Sequence, residues 1–209
     1  MTTTLLLIRH GVTDWNEAQR WQGHADIPLN ETGQQQANAL AKRLASWPIE
    51  VIVSSDLQRC VQTAVTIATP HNIQPVFDPL WRERHVGDFS GLTTDEVRAR
   101  FPELWAQSPR GLVNPPNGEA FPELRTRALT AYENVLTAYK GQMVAIVSHG
   151  GTLHTLIREV IGLNGTEYGR FSLRGNTGLS IIEVTDHGAY LTRLNDTSHL
   201  EDEIGRLRD

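Results

Sequence analysis

Apolar residues recur along this chain in two rhythms. Short continuous runs at Leu5–Ile8, Glu50–Val53, Met143–Val147 and Leu179–Val184 are each closed by glycine or polar residues, which predicts buried strands. Longer stretches show helical spacing. Gly33–Ser46 brings Ala37, Leu40, Ala41 and Leu44 to one face, and Leu57–Ala68 does the same with Leu57, Val61, Ala64, Val65 and Ala68. Pro122–Tyr139 carries Leu124, Ala128, Ala131, Val135 and Leu136 on one stripe, and Thr152–Ile161 is a fourth helix. Strands alternating with helices predict an α/β fold with a mostly parallel central sheet between helical layers. Residues 1–209 are expected to form a single domain. The segment Ser108–Gly118 is rich in Pro, Gly and Asn and reads as a loop. Together with the weakly periodic stretch before it, it makes Thr93–Gly118 the expected lid.

Composition narrows the picture further. A chain of 209 residues, 39% hydrophobic and 21% charged, has enough material for a sizeable core. Its net charge of −5 argues against sequence-independent nucleic-acid binding, which needs a basic face. A local arginine cluster can still take an anion. The one cysteine, Cys60, cannot form an internal disulfide and reads as a small buried hydrophobe. No run approaches the roughly 20 apolar residues needed to span a bilayer. The N-terminal run is too short for a signal core, so a cytoplasmic location is expected.

The strand ends carry the chemistry. Ligands of a parallel sheet sit beyond the carboxyl ends of its strands. LLLI ends in Arg9-His10-Gly11, VIVSSDLQR delivers Ser54, Ser55 and Arg59, and MVAIVSHGG delivers Ser148, His149, Gly150 and Gly151. Two guanidiniums offer forked donors matched to phosphoryl oxygens. A helix beginning after Gly150-Gly151 would add free N–H groups, and Gly11 and Gly150 would let the backbone approach an anion. A neutral imidazole there is a nucleophile for phosphorus, and a second imidazole, if cationic, would donate to the transferring oxygens. Such a site neutralises phosphoryl charge itself, so neither a metal nor another cofactor is expected.

The segments RHGVTDWN, QGHADIPLNETG, SSDLQRCVQTA, WRERHVGDFSG and VSHGG, in this order, resemble the histidine phosphatase superfamily, also called the phosphoglycerate-mutase-like family. RGNTGLSIIEV fits as well, so the resemblance covers nearly the whole chain. It implies a phosphoglycerate-mutase-like α/β/α domain with His10 as the phosphorylated nucleophile and Arg9, Arg59 and His149 around the phosphate. It places Gly11, Thr13, Asn16, Gln22, Gly23 and the Gly150 N–H in the same pocket, and matches Glu83 to the proton donor for the leaving group. Arg84, His85 and Arg110 could bind a carboxylate or second phosphate of the substrate.

The resemblance spans two activities, phosphomonoester hydrolysis and mutase transfer. The mutase pattern has a tyrosine where this chain has Val86 and a lysine where it has Thr94, and an arginine-bearing insertion is missing. That favours a phosphatase acting on a small phosphorylated metabolite. The alternatives are a 2,3-bisphosphoglycerate-dependent phosphoglycerate mutase and a non-catalytic phosphate-binding module. Several residues also have bland readings. Thr13 and Asn16 read equally well as caps, and Glu83 among Arg82, Arg84 and His85 as an ion pair. The histidines His24, His85, His154 and His199 lack metal-ligand spacing. Oligomeric state is open, a homodimer being one option.

Overall fold

The two sequence rhythms become two kinds of layer. The computed structural model describes residues 1–107, 113–163 and 171–200. In chain order the elements are β1 (Thr3–Arg9), α1 (Asp14–Glu17), α2 (Glu31–Leu44), β2 (Val51–Ser54), α3 (Gln58–Ala68), β3 (Val76–Phe77), α4 (Thr94–Arg100) and α5 (Pro102–Ala106). They continue with α6 (Phe121–Ala138), β4 (Met143–Ser148), α7 (Gly150–Val160), β5 (Leu179–Thr185) and β6 (Gly188–Asp196). The sheet runs β3-β2-β4-β1-β5-β6. Its β1–β4, β2–β4 and β2–β3 pairs are parallel, whereas β5 runs antiparallel to β1, and β6 to β5. The expected mostly parallel sheet is therefore present, with an antiparallel edge.

Alternation across the central strands sorts side chains into two cores. Leu5 and Leu7 of β1 pack with Val144 and Ile146 of β4 against Ala131, Tyr132 and Val135 of α6 and Leu153, Leu156 and Ile157 of α7. Leu6 and Ile8 face the other way, with Ala145 and Val147, against Leu40 and Leu44 of α2 and Cys60, Ala64 and Ile67 of α3. Among the described residues no helix is long and apolar enough to cross a membrane.

Several expectations need correction. The buried face of α3 comprises Arg59, Cys60, Thr63, Ala64, Ile67 and Ala68, while Val65 of the expected stripe is exposed and Val61 only partly buried. Turning Arg59 inward rotates the helix by about one position. β3 and β6 escaped the pattern: the first has two residues and the second is a polar edge strand. The expected lid holds two short helices, α4 and α5. Their cluster of Val86, Phe89, Val97 and Val113 is separate from both main cores. Residues 108–112 of the expected loop lie outside the described residues.

Candidate active site

Register does the converging. Arg9 pairs with Ser148 across β1 and β4, and Ser54 with Val147 across β2 and β4. The ladder continues past the strand ends, with the His10 N–H donating to Ser148 O (3.0 Å) and the Ser55 N–H to Val147 O (3.0 Å). The residues that leave these strands therefore emerge at one level of one edge.

His10 is buried, with its Nδ1 2.7 Å from the carbonyl oxygen of Gly11. A carbonyl only accepts, so Nδ1 carries the proton and the lone pair of the neutral ring resides on Nε2. Nε2 has no partner among the described residues, and the ring lines a cavity of about 510 Å³. Burial, then Arg59 and Arg9, push the His10 pKa well below the usual imidazole range. The ring is therefore kept neutral.

His149 lies behind His10, with ring centroids 5.2 Å apart, and is fully buried. Burial, then Arg59, holds it neutral too. The Arg59 Nε–H donates to His149 Nδ1 (3.2 Å), so the imidazole proton sits on Nε2, 2.9 Å from Ser55 Oγ. Cys60 Sγ lies 3.3 Å from the same Nε2, and burial pushes its thiol pKa up. Burial and two neighbouring arginines oppose a charge on His149 in this state, so the condition under which it would donate as a cation is not met here.

Arg59 is also fully buried, an arrangement that costs several kcal/mol unless its donors are paired. Nη1 donates to Ala25 O (2.7 Å) and Nη2 to Gly23 O (2.8 Å), and with the Nε bond to His149 two of its five N–H groups have no partner among the described residues. Arg9 donates through Nη1 to Leu173 O (3.0 Å) and Arg174 O (2.9 Å), while its buried Nε has no partner among the described residues. Both guanidiniums line the cavity beside His10.

Glu83 reaches the same cavity from an irregular segment. Its Oε1 accepts from the Arg84 N–H (2.9 Å) and the Thr152 N–H (3.1 Å), and Oε2 accepts from the Gly151 N–H (3.0 Å). The carboxylate thus caps α7, whose preceding residue, His149, supplies no side-chain cap. Glu83 makes no ion pair among the described residues, contrary to its bland reading. The glycine pair is explained in part by this contact, since a Cβ on Gly151 would lie 2.5 Å from Glu83 Oε1.

The remaining expected residues divide. Asn16, Gln22, Gly23 and Gly150 line the cavity. Thr13 does not; its hydroxyl lies 3.0 Å from Asn16 Oδ1 and 3.1 Å from Gln22 Oε1, and among the described residues neither carboxamide nitrogen has a partner. Thr13 also caps α1, as its bland reading had it. Gly11 is outside the cavity wall and serves packing: a Cβ there would meet the Gly33 carbonyl oxygen at 2.6 Å. Arg84 lines the cavity but is engaged elsewhere, donating to Glu119 O, Val113 O and Asn114 Oδ1 with its guanidinium over the Phe121 ring. His85 is exposed and packs on His24 with ring centroids 4.8 Å apart, away from the cavity lining. Arg20, Phe121, Leu124, His154 and Phe171 line the cavity without any motif that marks them, and Val86 of the WRERHVGDFSG segment lines it too. Trp21, which sequence proximity does suggest, lines it too and donates to Thr94 Oγ1 (3.3 Å). Among the described residues no group of three or more His, Cys, Asp or Glu side chains is arranged to hold a metal ion.

A neutral imidazole, two inward guanidiniums and a helix-capping carboxylate at the carboxyl edge of a parallel sheet define a class of α/β proteins built to handle phosphoryl groups. Residues 5–197 match the Histidine phosphatase superfamily (branch 1), and the chain belongs to that superfamily. It is 34% identical over 203 residues to the metal-independent phosphoserine phosphatase of Arabidopsis thaliana, covering 95% of this chain and 83% of that protein. Phosphoglycerate mutase-like protein 4 of the same plant is also 34% identical, over 95% of this chain and 87% of its own length. Among solved structures, YhfR of Bacillus stearothermophilus superposes with a TM-score of 0.87 at 35% identity, covering 95% of this chain and all of that one. The chain is accordingly a histidine phosphatase superfamily enzyme, a phosphatase or a mutase.

Proposed function

We propose that this enzyme is a metal-independent phosphomonoesterase for small phosphorylated metabolites, working through a phosphohistidine on His10. The observation that carries the proposal is the fixed His10 tautomer, with Nδ1–H held by Gly11 O and an unpartnered Nε2 in the cavity. Nε2 attacks phosphorus in line, and the P–O bond to the leaving alcohol breaks. A protonated Glu83 gives its proton to the departing oxygen, leaving a neutral alcohol and a carboxylate. Arg9 and Arg59, with the free amides of Asn16 and Gln22, hold the transferring oxygens. Water then attacks the phosphohistidine, Glu83 takes its proton, and inorganic phosphate leaves with His10 neutral again.

Two observations favour hydrolysis over mutase transfer. Val86 supplies an apolar wall, and Thr94, bonded to Trp21, is not part of the cavity lining, so neither position places a cation against a second anion. Arg84 is bound to the 113–121 segment. A mutase must retain a doubly anionic intermediate while it turns over, whereas a phosphatase lets its product go.

The test is phosphorus NMR of the enzyme in EDTA with 3-phosphoglycerate, phosphoserine and a trace of 2,3-bisphosphoglycerate. Inorganic phosphate is expected, with His10→Ala slower by more than about 10⁴-fold. Formation of 2-phosphoglycerate makes the enzyme a mutase, and binding without turnover makes it a phosphate-binding module.

A further inference from the structure

Glu83 lies where no regular element holds the chain. Residues 83–86 are an irregular segment between short 3-10 turns at Pro79–Trp81 and Gly87–Phe89. A proton donor must be placed to within about 0.5 Å of its working position, which such a segment cannot do alone. The grip comes from α6. Arg127 donates through Nη1 to Leu80 O (2.8 Å) and Arg82 O (2.8 Å), and through Nη2 to Glu83 O (3.2 Å). Its other two N–H groups form a bidentate pair with Glu119, Nε to Oε1 at 2.8 Å and Nη2 to Oε2 at 2.7 Å. All five donors of one guanidinium are used, three of them on the backbone that carries Glu83.

Glu119 secures the next two residues. Its main-chain oxygen accepts from Arg84 Nε (2.8 Å), its N–H donates to His85 O (2.8 Å), and its Oε2 accepts from the His85 N–H (3.2 Å). Arg127 and Glu119 retain only 17% and 13% of their side-chain exposure, so solvent competes weakly for this pair. From the other side, Thr152 Oγ1 donates to Arg82 O (2.7 Å), and the Gly151 and Thr152 N–H groups hold the carboxylate.

We propose that Arg127, locked by Glu119, is a positioning residue for the Glu83 proton donor: its fork fixes the Leu80–Glu83 backbone so that the carboxyl group is held at the head of α7 on the cavity wall. The inference rests on the role of Glu83 given under the proposed function. Arg127 touches neither His10 nor the cavity surface. It acts through the segment that carries Glu83, and in the steps through departure of the alcohol that means leaving-group protonation. A fold-stabilising role alone would lower the rate for every substrate alike.

The readout is the leaving-group dependence of kcat/KM, which covers the steps through departure of the alcohol. Full-length wild type, Arg127→Lys, Glu119→Gln and Glu83→Gln are compared on phosphoserine, whose alkoxide needs a proton, and on 4-nitrophenyl phosphate, whose phenolate leaves unaided. Arg127→Lys keeps the charge facing Glu119 but lacks the fork. It is expected to lower kcat/KM for phosphoserine by about 10-fold or more and for the aryl ester by less than about 3-fold, with Glu119→Gln in the same sense and Glu83→Gln stronger. Equal losses on both substrates, or no loss, in Arg127→Lys and Glu119→Gln while Glu83→Gln discriminates overturns the role of Arg127 alone. Equal losses in Glu83→Gln itself overturn the acid assignment and this inference with it.

Discussion

His10 and His149 are two imidazoles held uncharged by the same arginines that make the pocket an anion site. This has a consequence for stability. An imidazole in the unfolded chain titrates near 6.5. Because both folded values are depressed, the unfolded chain binds more protons as pH falls below about 6.5, and stability falls with it. At pH 7.5 the contribution is fully present. Between pH 7.5 and 5.5 both residues therefore remove stability as the pH falls. His199, lowered to about 4, and the partly buried His24 and His154 add to the slope. The contribution of His10 is isolated by comparing urea midpoints of wild type and His10→Asn at pH 7.5 and 5.5, the variant being expected to lose less. Equal losses would mean that His10 titrates normally in the folded protein. At this scale the sequence is most informative where a residue ends or directly follows a strand, as Arg9, His10 and His149 show, and next in the first turn of the helix that follows one, as Arg59 shows. It was silent on Arg127 and Glu119, whose partners are largely backbone carbonyls and amides of distant segments and leave no motif.

At the scale of elements, the head of α7 decides how the site is assembled. The sequence predicted a helix from Thr152 with Gly150 and Gly151 in front of it as an anion cradle. The helix instead begins at Gly150, and its Gly151 and Thr152 N–H groups go to Glu83. The glycine pair thus has divided roles. At Gly150 an added Cβ would make ordinary contact, 3.5 Å from Arg9 Nε, whereas at Gly151 it would strike Glu83 Oε1 at 2.5 Å. Gly151→Ala offsets a gain in helix propensity against loss of the Glu83 cap, because it displaces the carboxylate. We expect its thermal midpoint to change little, and its kcat/KM for phosphoserine to fall about 10-fold or more with the aryl ester spared. A loss of stability without that substrate selectivity would show that Glu83 is not seated by this helix end. The other helices were legible because their apolar stripes face a sheet. Hydropathy alone misplaces the face of α3, because its buried stripe includes a charged residue and a polar one, Arg59 and Thr63, which hydropathy sends to solvent.

Across the whole molecule, β4 sits between β1 and β2, and this insertion brings three distant strand ends to one edge. Alternating strands and helices foretold a parallel sheet but not this order, which depends on pairings over more than 90 residues of separation. The same view sets α4 and α5 apart. They pack on Val86, Phe89 and Trp21 in a cluster distinct from the two cores. They meet the cavity wall through Arg20–Glu96 (3.1 Å), the Trp21–Thr94 bond and an isolated bridge between Arg20 and Thr93. An exposed ion pair of that kind contributes at most about 1 kcal/mol, far less than the core contacts of β1 and β4. We infer that this unit is a lid that opens locally while the sheet stays intact. Native-state hydrogen exchange is expected to release the amides of Val97–Phe101 well before those of Leu6–Ile8 and Ala145–Val147. A bound phosphoester that touches Arg20, Trp21 and Val86 should slow the α4 amides, because closing then has a ligand to close upon. Amides of α4 that exchange as slowly as β4, with or without ligand, would make this unit a fixed wall and leave the cavity permanently open to solvent.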